Sequence, residues 1–165
     1  MTFRLAGPNG TYYLFGMKSI FEPSTHAELV ERLGRLTPEA GRQWGKMTAG
    51  QMMEHSARVL EMATGIKPMK QLFIGKAIGW VFRGQFTGEK PFSKNSPTGP
   101  TMIIDDEPDF EATRERLNGL ISHLHTLGES GTDGNIHGFF GPLTGKQWGE
   151  TQYKHVDHHL RQFGL

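Results

Sequence analysis

The chain has 165 residues, enough for one domain that buries roughly 70% of the surface it exposes when unfolded. Its 18 Lys plus Arg nearly balance 17 Asp plus Glu, and no stretch joins clustered basic and aromatic residues, which argues against a nucleic-acid partner. Cysteine is absent, which excludes disulfides, Cys-based zinc knuckles and thiol nucleophiles, so any chemistry falls to His, carboxylates, hydroxyls or a metal.

Residues 1–22 combine Gly7, Pro8, Asn9, Gly10 and Gly16 with scattered aromatics and no helical period. They predict an irregular N-terminal arm ahead of a domain over 23–165. The arm has no apolar h-region of a signal peptide, and no apolar run approaches the ~20 residues of a membrane span, so the expected location is cytoplasmic with no membrane partner. Met17-Lys18-Ser19 offers an alternative start, which N-terminal sequencing of the native protein would test.

Thr25 and Glu28 read as a capping box, and Leu29, Leu33 and Leu36 share one face, predicting a first helix from Thr25 to Leu36 that ends at Thr37-Pro38. Thr48 and Gln51 form a second box opening a helix from Ala49 to Ala63, closed by Gly65 and Pro68, with Met52, His55, Val59 and Met62 on one stripe. Met69 to Arg83 predicts a short, broken helix, because Gly75 and Gly79 each cost about 1 kcal/mol against Ala. The following GQFTGEKPFSKNSPTGP predicts irregular chain. Asp109 caps the next helix, to about Leu127, with Phe110, Leu117, Leu120, Ile121 and Leu124 inward. A Gly-rich loop over 128–143 leads to a last helix opened by Thr144 and Gln147 and running to Phe163. The expectation is an all-α domain of four main helices plus a short extra helix, with two loops of roughly 20 residues, a length that usually marks functional or disordered chain.

On the last helix, Trp148, Thr151, Gln152, His155, His159 and Gln162 fall within about 60° of one direction, a polar stripe on a face that should be core. His155 and His159, four apart, are separated by about 6 Å and 40°, so both imidazoles can reach one ion. The metalloprotease motif HEXXH uses the same spacing, but its general-base Glu is missing here. H-x-x-x-H alone equally describes a polar surface face. His55, mid-stripe on another helix, becomes a third ligand candidate because an unpaired imidazole there costs desolvation energy.

Trp44 to His55 (WGKMTAGQMMEH) and Phe140 to Gln162 (FGPLTGKQWGETQYKHVDHHLRQ) together resemble the DinB-like superfamily, including the YfiT-type proteins and thiol-dependent transferases. The resemblance spans about residues 20–164 and is nearest an uncharacterised branch. It implies a four-helix bundle of down-up-up-down type with a long crossover, three metal ligands matching His55, His155 and His159, and a homodimer. The usual ending is closer to His-Arg-Gly-Gln, where this chain has His159-Leu160-Arg161-Gln162, so His158 stands as a rival ligand to His159.

Three neutral imidazoles suit Zn, Ni or Fe rather than Mg or Ca and leave a coordination position open. The resemblance favours a metal-dependent, thiol-dependent transferase in which a low-molecular-weight thiol attacks a small electrophilic substrate. The alternatives are a hydrolase using a metal-bound water and a non-catalytic metal-binding or stress-response protein. Hydrolysis calls for a proton carrier, for which His137, Asp105, Asp106 and Glu107 are candidates. His137 also reads as a solvent-exposed turn residue, and the three acids as the lead-in to a helix. Gln51 and Gln162 are placed either to orient an imidazole or to cap their helices. Trp148 and Met62 read as core, and His26, His123 and His125 as surface.

Overall fold

The computed structural model describes Arg4–Ala6, Tyr12–Leu14 and residues 16–165. Part of the arm expected over 1–22, including Gly7 to Gly10, lies outside the described residues. Within it, β1 (Arg4–Ala6) and β2 (Tyr12–Leu14) pair antiparallel, with Leu5 opposite Tyr13.

Helices dominate the described chain, in the order α1 (Pro23–Gly34), α2 (Ala49–Thr64), α3 (Phe73–Thr87), α4 (Phe110–Thr132) and α5 (Gly145–Gln162). A 3-10 turn at Pro100–Met102 interrupts the long connection before α4, and β3 (Ile136–His137) pairs antiparallel with β4 (Gly141–Pro142) ahead of α5. The expected all-α class holds. α1, α2, α4 and α5 pack around one core in which Leu29, Met52, Leu60, Ile121, Leu124 and Trp148 are buried. No helix among the described residues is long and apolar enough to cross a membrane.

The two helices that carry the histidines start as expected. Thr48 accepts from the Gln51 backbone while the Gln51 side chain accepts from the Thr48 backbone, and Thr144 with Gln147 repeats the arrangement on α5. Each box satisfies two N–H groups that a helix start leaves orphaned. Gly65 then ends α2 in the left-handed region, φ 75°.

α1 departs from expectation. It begins at Pro23, two residues before Thr25, and Glu22 at its N-cap makes no side-chain cap. Proline presets φ for the first helical turn, and the Ile20 N–H, bonded to the Gly149 carbonyl at 3.1 Å, sets where the chain enters. Thr25 is therefore inside the helix, donating to Glu22 Oε2, and Glu28 pairs with Lys18 and Arg32 instead of capping.

α3 is also a correction: it is continuous and runs through 84–87, which were expected to be irregular. Its glycines are its contact face rather than its breaks. A Cβ on Gly75 would stand 2.3 Å, and one on Gly79 2.6 Å, from the Phe139 carbonyl oxygen. Their absence lets the helix lie directly on the β3–β4 ribbon. α4 starts at the Asp109 cap, whose side chain accepts from the Ala112 N–H at 2.8 Å. It kinks at Gly128 (φ 63°, ψ −168°), so the loop expected from Gly128 begins with one more helical turn.

Candidate metal centre

α2 and α5 face each other so that His55 meets His155 and His159. One nitrogen from each ring lies within 4.8 Å of the others. His55 and His159 are only 6% and 8% exposed, while His155 is partly exposed, so the group lies at the edge of the interior. His55 Nε2 and His155 Nε2 are 3.1 Å apart, close to the ~3.3 Å between two nitrogens that each stand ~2.0–2.1 Å from one tetrahedral ion.

Neighbouring groups fix which nitrogen is free on two of the three rings. His55 Nδ1–H donates to the Met102 carbonyl at 3.0 Å, leaving the Nε2 lone pair turned toward α5. His159 Nδ1–H donates to Gln162 Oε1 at 3.0 Å, and Gln162 Nε2 donates to the Trp44 carbonyl at 2.8 Å, which fixes the amide the right way round. Gly45, at φ 80°, makes room: a Cβ there would stand 2.3 Å from Gln162 Nε2. His155 Nδ1 is shielded and has no hydrogen-bond partner among the described residues, although a buried polar atom is normally satisfied. Two anchored rings with lone pairs aimed toward a third make a set of imidazole donors suited to a divalent transition ion.

Burial keeps the group uncharged. It lowers the pKa of His55, pushes His159 down to about 3, and holds His155 well below the ordinary imidazole value, with mutual repulsion between the rings adding to the effect on His155 and His159. Neutral imidazole is the ligating form.

Residues 22–164 match the family described as "Protein of unknown function (DUF1569)". The chain belongs to that family. No curated protein and no solved structure matches it.

The other expected site residues of this DUF1569 chain are placed as follows. His158 is outside the group: half-buried on the neighbouring face of α5, it packs between Trp44 and Phe92. His137 is not a solvent-exposed turn residue. Its ring packs against Phe86, Phe140 and Trp148, and its Nδ1 accepts from the Phe139 and Phe140 N–H groups at 3.1 and 3.2 Å. Burial pushes its pKa down to about 4, and its position depresses that of His155. Gln162 orients an imidazole, whereas Gln51 is a cap. The Glu107 carboxylate accepts from the Thr48 hydroxyl and the Asp106 main-chain carbonyl from Gln51 Nε2, so this segment stands over the start of α2, and the Asp105 and Asp106 side chains are exposed. Trp148 and Met62 are core as expected. His123 is exposed, but His26 and His125 stack with ring centroids 4.5 Å apart.

Two contributors left no signal in the sequence. The Met102 carbonyl reaches His55 from the long connection. Lys154, beside His155, is buried, and its Nζ donates to the carbonyls of Phe86, Gly88 and Lys90, which clamps the end of α3 onto α5. Burial lowers its pKa to about 8 against the opposing attraction of Glu150.

Two grooves flank the triad. One of about 330 Å³ is walled by Trp44, Phe92, Tyr153 and His158, the other, of about 410 Å³, by Glu54, Arg58, Pro68 and Met102. The triad lines neither, but the His158 ring stands 5.3 Å from that of His159.

Proposed function

We propose that this protein is a metal-dependent enzyme, a thiol-dependent transferase that holds one divalent transition ion (Zn, Ni or Fe) on His55, His155 and His159 and acts on a small electrophilic substrate. The observation that carries the reading is the convergence of three neutral imidazoles from two helices, two of them aimed by hydrogen bonds to Met102 and Gln162. The resemblance of Trp44 to His55 and Phe140 to Gln162 to the DinB-like superfamily supports it, and with it a four-helix bundle of down-up-up-down type.

An ion held by these three ligands would leave a position open and would supply the Lewis acidity that favours the thiolate form of a low-molecular-weight thiol. The chain's own residues supply orientation and dryness. His55 and His159 are locked in one tautomer, and Trp148, whose Nε1–H donates to the Asn135 carbonyl, closes the core behind them. With its Nδ1 occupied by two backbone N–H groups, His137 carries its proton on Nε2 and is suited to donate a hydrogen bond to bound substrate.

That arrangement supports transfer over hydrolysis. A hydrolase needs a group to accept a proton from water, and the His137 lone pair is taken while Glu107 is engaged at the start of α2, with Asp105 and Asp106 exposed to solvent beside it. It also supports catalysis over a purely structural site, which normally has four protein ligands, whereas no fourth His, Asp or Glu joins the group among the described residues.

The test begins with elemental analysis of protein purified without a His tag. About one equivalent of a transition metal is expected, and protein that neither carries nor takes up metal would overturn the reading. A panel of small thiols with an electrophilic acceptor then compares the wild type with His155→Ala. Equal rates would eliminate metal-assisted thiol transfer.

A further inference from the structure

His155 is the one ring of the triad with no anchor of its own, and its neighbour His55 decides where its proton sits. Because His55 Nδ1–H donates to the Met102 carbonyl, His55 Nε2 is a bare lone pair. His155 Nε2 stands 3.1 Å from it, and two lone pairs held at that distance repel. The neutral His155 ring therefore carries its proton on Nε2 and donates it to His55. Its Nδ1 is left as a lone pair, shielded and without a partner among the described residues.

That tautomer is the wrong one for a ligand. An imidazole that ligates through Nε2 has its ring proton on Nδ1, where a carbonyl, carboxylate or water almost always accepts it. His55 and His159 already stand that way, with Met102 and Gln162 as acceptors. His155 has to change, and the change creates a buried Nδ1–H in need of an acceptor.

One buried acceptor beside it is unused. Gln152 is wholly buried on α5, yet neither its Oε1 nor its Nε2 has a hydrogen-bond partner among the described residues, where a buried amide is normally satisfied. It precedes His155 by three residues, about 4.5 Å along the helix axis and 60° around it. A helical side chain leans back over the turn before its own Cα, which carries the His155 ring toward Gln152. Thr151, the other polar residue of that turn, already donates its hydroxyl proton to the Gln147 carbonyl at 2.7 Å.

We propose that Gln152 is the positioning residue for His155: as the three rings take up an ion, His155 passes from the Nε2–H to the Nδ1–H tautomer, and Gln152 Oε1 turns to accept from Nδ1–H. The ring gives one proton to solvent from Nε2 and takes one from solvent at Nδ1, so it is neutral before and after. The inference rests on the reading of the triad as a transition-metal site. It makes Gln152 to His155 what Gln162 is to His159, with the difference that the Gln152 bond forms only with the ion.

Long-range nitrogen–proton NMR spectra, which report the tautomer of each ring, are the direct test on chelator-treated protein and after one equivalent of zinc. His155 is expected to move from Nε2–H to Nδ1–H, with His55 and His159 Nδ1–H in both states; a His155 tautomer that is the same in both overturns the proposal. In competition against a chromophoric chelator, Gln152→Leu is expected to weaken zinc binding about 10- to 100-fold, and Gln152→Glu, which keeps an acceptor, to recover most of the loss. The metal-free melting temperature of Gln152→Leu is expected to be unchanged or raised, because an unpaired amide leaves the core. Wild-type zinc affinity in Gln152→Leu with a lowered metal-free melting temperature makes Gln152 merely structural and overturns the proposal, as does equal weakening by Thr151→Val. Zinc uptake without thiol transfer defeats the transferase reading alone, and zinc uptake with an unchanged His155 tautomer defeats this inference alone.

Discussion

Replacing Gln162 by Leu separates a metal-orienting role from a structural one. The Gln162 side chain is buried, accepts from His159 Nδ1–H at 3.0 Å and donates to the Trp44 carbonyl at 2.8 Å. Leucine fills comparable space but leaves the His159 N–H without an acceptor. A buried donor left unsatisfied costs ~1–3 kcal/mol, and in a chain of this size each kcal/mol corresponds to ~2–4 °C, so the metal-free melting temperature is expected to fall by roughly 2–12 °C. Loss of a group that orients a ligating imidazole typically weakens metal binding about 10- to 100-fold, or ~1.4–2.7 kcal/mol. Gln51→Leu is the matched control. It removes half of the α2 capping box and lowers stability by a similar order, about 1 kcal/mol, yet touches none of the three histidines. Competition against a chromophoric chelator measures both. Unchanged affinity in Gln162→Leu, or equal weakening in Gln51→Leu, would refute the assignment of Gln162 to His159.

The buried imidazoles make the metal-free protein acid-sensitive. His55, His137, His155 and His159 have folded pKa values below the ordinary 6.5, so below that pH the unfolded chain binds more protons. Stability is full above about pH 6.5 and is lost as pH falls toward 4, at up to ~5 kcal/mol per pH unit if all four rings stay neutral when folded. Urea melts of metal-free protein at pH 7, 6 and 5 should show this, and a flat profile would contradict it. Thr144→Ala should cost about 1 kcal/mol by removing the α5 cap, with thermal melts as the check. Gly75→Ala should lift α3 off the ribbon, because its Cβ would meet the Phe139 carbonyl at 2.3 Å. Faster proteolysis between α3 and α4 is the expected readout, and wild-type resistance would argue against the close contact.

The legible parts of this chain are those written in local chemistry. Two reciprocal Thr-Gln boxes located the starts of α2 and α5 to the residue, and the four-residue spacing of His155 and His159 placed both rings on one face. His55 needed the resemblance as well, since nothing local says which helix α5 will face. Thr25 and Glu28 misled because a proline two residues earlier and a backbone bond to Gly149 decided where α1 begins. Gly75 and Gly79 misled for a related reason: propensity treats glycine as a weak point, whereas here the missing Cβ is what the Phe139 backbone requires. Which face of α3 is turned outward is visible only in the three-dimensional arrangement.

The hydrogen bond from His55 to Met102 differs in kind from that between His159 and Gln162, because its acceptor is main chain. Any amino acid at position 102 presents the same carbonyl. A saturation screen should therefore score Gln162 as intolerant and Met102 as permissive, even though both hold a ring of the same triad. The constraint at 102 lies on the path and length of the connection from α3 to α4, and it would surface as intolerance to insertions and deletions there rather than to substitutions.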